Sequence, residues 1–216
     1  MSGEFLNTHY YLISVAVIII ACVVFFIGFE KKKPQAREVV TLATMSAIAV
    51  ASRAAFIMVP FFKPMSAIIM ITGMAFGPGA GFLVGTVSAF VSNFIFGQGP
   101  WTPWQMFAYA MAGFLGGLLY KHEIIHENKR MLTSFMGLAT VVLIVGPILD
   151  VCSVFTMGGK ITREYVISVF GSGLAPNIIH GIATFVTLLL LCKPMMEKLN
   201  RMKVKYGMMS EEEDEI

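Results

Sequence analysis

Long apolar runs separated by short charged or Gly/Pro-containing segments dominate the chain. A helix needs about 20 apolar residues to cross the hydrocarbon core of a bilayer. Runs of this kind cover residues 11–29, 39–59, 80–96, 104–120, 132–157 and 165–192. A shorter run, 66–76, is expected to start earlier and take in Pro64, or to lie buried among the other helices. Pro60, Pro64, Gly77-Pro78-Gly79 and Gly97-Gln98-Gly99-Pro100 punctuate the middle of the chain and mark its turns. The pattern predicts an all-α integral membrane protein. The first run follows Glu4 and is itself followed by Lys31-Lys32-Lys33, which reads as a span stopped on the cytoplasmic side rather than a signal peptide.

Charge then orients the runs. If each crosses once, the inside segments are 30–38, 77–79, 121–131 and 193 onward, and they hold 12 of the 16 basic residues. The outside loops hold Lys63, Lys160 and Arg163, and Arg53 lies within a span. The bias follows the positive-inside rule and predicts seven crossings, with the N-terminus outside and the C-terminus cytoplasmic. The acidic run at 211–215 carries little orienting weight and is expected to be disordered.

Lipid gives apolar helices no reason to associate, so small residues that let backbones approach mark the packing faces. Ala43, Ala47, Ala51 and Ala55 recur every four residues along one side of the second run. On spacing alone an internal packing face is the stronger reading, and a docking face for another membrane subunit is the alternative. Gly79, Gly81, Gly85, Gly113, Gly116 and Gly117 form similar smooth faces.

Ionisable and amide side chains inside apolar runs each need a physical reason. Arg53 is expected either to snorkel to the headgroups, or to meet an anionic ligand or Asp150. Asp150, Asn177 and His180 in the last two runs, with Asn93 in the fourth, form either a polar network joining helices or a cavity open to the outside; the cavity is the expectation here. In the loop from Gly97 to Gln105, two prolines stiffen a chain bearing Trp101, Trp104, Gln98 and Gln105. The tryptophans fit an interfacial belt, and the same loop suits covering a planar ligand, with Phe61, Phe62 and Lys63 as the opposite wall.

Composition narrows the function classes. Only 13% of residues are charged, against about a quarter in soluble domains. No phosphate-binding Gly-Lys-Ser/Thr loop is present, and the basic residues form no nucleic-acid patch. Cys22, Cys152 and Cys192 sit singly in apolar runs and read as packing thiols. His122-Glu123-Ile124-Ile125-His126 matches the H-E-x-x-H zinc motif, but in a short charged connection without a third ligand nearby. An intramembrane zinc metalloprotease is therefore one alternative, and a stand-alone secondary transporter another, although no pair of inverted repeats is evident.

Three stretches in order carry a family resemblance: the Ala43-x3-Ala47-x3-Ala51 helix after a basic lead, the run from Gly73 through Gly77-Pro78-Gly79 to Gly85, and the Gly97-to-Gln105 loop leading to Gly113. From Arg37 to Arg201 the chain resembles a substrate-binding S component of an energy-coupling factor (ECF) transporter. The resemblance implies a six-helix bundle at 37–201; the chain departs from it by an added helix and linker at 1–36, and an acidic tail follows at 202–216. It implies a cell-membrane protein without enzyme activity or a cofactor of its own. Its partners would be a vitamin-like ligand, a transmembrane coupling subunit and two ATPase subunits that hydrolyse ATP. The ligand would bind from outside near Arg53, Asn93, Gln98, Trp101, Trp104, Gln105, Asp150, Asn177 and His180. Ala43, Ala47 and Ala51 would dock the coupling subunit, and the bundle would then tip to release ligand inside. The Gly-Pro-Trp-Thr-Pro-Trp loop resembles members that bind cobalamin or related vitamins.

Overall fold

The computed structural model describes residues 35–157 and 161–208, together with 12, 15, 16, 18–20, 22 and 23. The basic lead 31–33, Lys160, the acidic run 211–215 and most of the 11–29 span lie outside the described residues. Six helices follow one another from residue 36: α1 (Ala36–Ala55), α2 (Met65–Phe76), α3 (Pro78–Phe96), α4 (Thr102–Lys121), α5 (Arg130–Thr156) and α6 (Arg163–Tyr206). The protein is an all-α membrane protein, and α1, α3, α5 and α6 are each long and apolar enough to cross a bilayer.

Local chemistry explains the boundaries. Gln35 and Glu38 close a reciprocal capping box at the start of α1, with Gln35 N–H donating to Glu38 Oε2 over 3.0 Å. Gly77 takes φ 92°, which a side chain would resist, and Pro78 opens α3 where its missing N–H costs nothing. In α5 the N–H of Gly146 bonds to Val141 O, a five-residue step that makes residues Val141–Val145 a π turn just before Pro147. Thr162 caps α6 by accepting from Tyr165 N–H at 3.2 Å. At its far end Gly207 adopts the left-handed C-cap conformation.

One expectation is met and one changes. Of the alternatives for the short run the structure takes the second: it is a separate helix, α2, whose 12 residues span about 18 Å and are all buried, so it lies among the other helices. The last helix does not stop at residue 192. It continues as one 44-residue helix through Pro194 and across position 201 to Tyr206. Met196 and Leu199 are buried on this extension, and just past its cap Met208 is buried too, its sulfur accepting from Thr41 of α1 at 3.6 Å, so tertiary contact holds a stretch too polar to be read as a span.

The bundle is tied together where α2, α3 and α4 meet. A Cβ on Gly73 would strike the carbonyl oxygen of Gly113, and one on Gly113 would strike that of Gly81. A Cβ on Gly81 would lie 2.6 Å from Gly113 carbonyl carbon and 2.7 Å from Gly73 Cα. Gly117 packs against Pro78 and Gly73, and Gly85 against the backbone of Tyr109 and Ala110. The glycines at 81, 85, 113 and 117 are therefore points of backbone contact, as their small-residue pattern predicted.

Gly81→Ala is expected to cost about 1–3 kcal/mol through overpacking against backbone that has no rotamer to yield. Gly79, with nothing within 4 Å of an added Cβ, is the control. Thermal unfolding in detergent should show a lowered midpoint for Gly81→Ala and none for Gly79→Ala.

Candidate functional site: three polar clusters at one end of the bundle

Because successive helices alternate in direction, the end of α1, the start of α2, the end of α3 and the start of α4 share one end of the bundle, with the end of α5 and the start of α6. All nine predicted site residues lie toward that end, and they fall into separate groups.

The first group joins α1, α3 and α4. Arg53 is buried, and its Nη1 donates to Ser92 Oγ at 2.5 Å and to Asn93 Oδ1 at 3.1 Å. Its guanidinium also stacks 4.1 Å from the centroid of Phe96. Asn93 Nδ2 donates onward to Gln105 Oε1 at 2.8 Å and to Thr102 Oγ1 at 3.2 Å. Thr102 donates to Gln98 Oε1 at 2.8 Å, and Gln98 returns a bond to Phe90 O at 3.1 Å. Arg53 thus neither snorkels to the headgroups nor meets Asp150. Ser92 and Asn93 stand one helical turn below the end of α3, close enough to give Nη1 of the cation two neutral oxygens.

The second group joins α5 and α6. Asn177 Nδ2 donates to Asp150 Oδ2 at 2.8 Å, and both residues are buried. Glycines make the room: the Asn177 amide fills the space a Cβ on Gly146 would take, and the Asp150 carboxylate fills that of Gly173. Each helix places its glycine four residues before its polar residue, so the two faces fit reciprocally.

The third group is Ser66 in the first turn of α2 with His180 of α6, 2.7 Å between Oγ and Nε2. The His180 ring lies 5.9 Å from that of Tyr109. Ser66 and Tyr109 carried no signal in the sequence, since a serine and a tyrosine inside apolar runs are common. Among the described residues Arg53 Nε, Trp104 Nε1 and Tyr109 Oη are buried without a hydrogen-bond partner, an unusual state for polar atoms.

The aromatic loop differs from expectation. Trp104 belongs to α4 and is turned inward against Phe155, 6.0 Å between ring centroids. Trp101 stays half exposed, with Gly99 lying against its indole. The two rings therefore do not make one cover. Across the bundle end, Phe62 packs on Phe56 at 4.9 Å, while Phe61 is exposed and held at φ 63°. A largely apolar cavity of about 540 Å³ opens between Ile18, Ile19, Cys22 and Val23 of the N-terminal segment and Phe90 and Met106, with Gln98 and Thr102 at its polar edge.

Two further sequence features lie elsewhere. His122 ends α4, and Glu123 leaves it at φ 57°, so the H-E-x-x-H residues are not on one helix as that motif requires. His126 instead stacks on Tyr120, 5.6 Å between centroids. On α1, Ala43, Ala47, Ala51 and Ala55 are all exposed, whereas Leu42, Met45, Ala49 and Arg53 face the bundle. The alanine stripe is not an internal packing face.

Comparison with known families matches residues 32–197 to one described as the ECF-type riboflavin transporter, S component. No solved structure matches the chain.

Asn93 bridges three helices, so Asn93→Leu removes a hydrogen bond from each of Arg53, Gln105 and Thr102 at once. Each lost bond costs about 0.5–1.5 kcal/mol, and more at the charged Arg53. The variant should unfold at a clearly lower temperature without any ligand, and adding Arg53→Met should recover part of the loss.

Proposed function

The chain belongs to the family of ECF-type riboflavin transporter S components, and from that membership we propose that it captures riboflavin at the polar end of its bundle and delivers it with the help of partner subunits. An S component is the substrate-specific part of an importer and is not an enzyme. The observation that carries the substrate is the family match over residues 32–197. Riboflavin replaces the cobalamin expected from the loop. A flat three-ring heterocycle with a dione edge and a hydroxylated side chain needs aromatic faces and several hydrogen-bonding groups, but far less room than a corrin. Asp150–Asn177 and Ser66–His180 offer donors and acceptors from neighbouring helices, and Tyr109 and Trp104 offer aromatic surface with polar atoms still unpaired.

In this reading the polar end faces outward, with the N-terminus outside and the C-terminus cytoplasmic, as the basic-residue bias supports. Arg53, Asn93, Gln98 and Gln105 hold the α1–α3–α4 wall of the site in shape, and Asp150, Asn177 and His180 meet the ligand. Trp104 lines the site beside Tyr109 and Trp101 flanks its mouth. The exposed stripe of Ala43, Ala47 and Ala51 is the docking face for a transmembrane coupling subunit. Its flatness lets a second helix approach closely, which is the main attraction available in lipid. Energy comes from two ATPase subunits bound to that partner, and the bundle tips to release riboflavin inside.

Titration of purified protein with riboflavin should quench the flavin fluorescence with a single saturable site, unaffected by excess cobalamin. Asp150→Ala should weaken binding about tenfold to a hundredfold, the usual effect of losing a hydrogen bond to a charged group. Ala47→Trp should leave binding unchanged and abolish uptake in cells. Cobalamin binding in place of riboflavin, or uptake undisturbed by Ala47→Trp, would each remove the corresponding part of the proposal.

A further inference from the structure

The N-terminal segment meets the bundle unevenly. Ile18 and Cys22, one helical turn apart, are buried in an apolar cluster with Phe82, Trp104, Ala110 and Cys152. Ile19 and Val23, one position further round, stay half exposed and form one wall of the 540 Å³ cavity. Phe90 of α3, with Pro103 and Met106 of α4, forms the other wall. The lining is a poor host for water. Among the described residues around the cavity, only Gln98 and Thr102 bear a side-chain oxygen or nitrogen, and none is charged. A buried water needs about two to four polar partners, and away from this edge it would find none. Left empty, the space would forgo the dispersion contacts that hold helices together in lipid. Its volume falls within the roughly 300–1,000 Å³ of sites that hold organic ligands.

Depth and polarity select the occupant. Phe90 and Met106 lie about 9 Å and 6 Å along their helices from Phe96 and Thr102. Both distances fit inside the roughly 15 Å of hydrocarbon in one leaflet. The lip formed by Ile19, Val23 and Phe90 continues the apolar outer surface of a membrane protein, the surface that acyl chains cover. The polar edge lies at the end of the bundle, on the headgroup side. There Gln98 is exposed, gives one amide N–H to Phe90 O at 3.1 Å and accepts from Thr102 through Oε1 at 2.8 Å. Its amide has a second N–H, which can meet an ester or phosphate oxygen without disturbing Thr102.

We propose that this cavity is a binding site for one acyl chain of a phospholipid, with the ester end at Gln98 and the chain lying between the N-terminal segment and α3 and α4. The chain supplies the contact that the segment lacks on this side. It also braces Gln98 and Thr102, whose bonds run on to Asn93 and Arg53. With no charge in the lining, the site recognises the chain and not the headgroup charge. The inference stands independently of the function proposed above.

The test uses the full chain, stripped of lipid in mild detergent and titrated with palmitoyl-lysophosphatidylcholine under native mass spectrometry. One saturable adduct per chain is expected, and palmitoyl-lysophosphatidylglycerol should bind comparably. Ile19→Trp/Val23→Trp, which places two indoles at the mouth, should weaken binding about tenfold or more. Leu12→Trp/Ile20→Trp, exposed on the same segment but off the cavity, should leave it unchanged. In the unaltered chain, saturating lipid should slow labelling of Cys22 by N-ethylmaleimide and leave the rate at Cys192, buried away from the cavity, as it was. Several weak adducts that ignore the mouth variant overturn the site and make the lipid a mere coat. Unprotected Cys22 overturns it as well, even if the mouth variant fails to fold. Displacement of the adduct by riboflavin, with Cys22 still protected, would assign the cavity to riboflavin and overturn the lipid. A strong preference for the glycerol headgroup would overturn recognition by the chain alone.

Discussion

The structure depends on backbone contact between glycines in α2, α3 and α4. In water, apolar side chains drive helices together whatever their shape. In lipid that drive is gone, and attraction comes from dispersion between atoms brought within contact distance. Gly73, Gly81 and Gly113 bring three main chains to a spacing at which a single Cβ would collide with a carbonyl. This lets α2, only 12 residues long, lie fully buried. Its short length then places Ser66 near the polar end, beside His180 of the long last helix.

From that packing follows the division of labour between polar groups. Burying Arg53, Asp150 and His180 in an apolar bundle is costly unless each finds a partner. Each does, but through different elements: Arg53 through α3, Asp150 through α6, His180 through α2. The clusters hold α1 to α3, α5 to α6 and α2 to α6. They are structural joints as well as candidate ligand contacts, and a ligand entering among them would meet side chains already fixed in direction. The glycines facing Asp150 and Asn177 show that room for this pair was built into both helices.

The same physics explains why the alanine stripe faces away. Inside the bundle α1 contributes Leu42, Met45 and Ala49, and Ala43, Ala47, Ala51 and Ala55 are left on the outer side. A row of small side chains makes poor use of lipid contact but lets another helix come close. In the function proposed above, this outward-facing smooth stripe is the surface through which the subunit would couple to its energy source.

Much of this was legible in the one-dimensional pattern. Apolar runs of span length determined the membrane class, because hydrocarbon admits little else. Gly77-Pro78 and the Gly/Pro loop at 97–103 determined turns, since these residues leave the backbone few options. The period-four alanines determined that α1 has a smooth side. Tertiary structure alone decided which way that side faces, because periodicity defines a face but not its neighbour. It also decided that Arg53 meets Ser92 and Asn93 rather than Asp150, that Trp104 turns inward, and that Ser66 and Tyr109 join His180. Partners 39, 40, 71 or 114 residues apart in the chain come together only through helix packing. And it decided that α6 runs on to Tyr206: the stretch after residue 192 is too polar for a span, and the buried Met196 and Leu199, with Met208 just past the C-cap, hold it against the bundle.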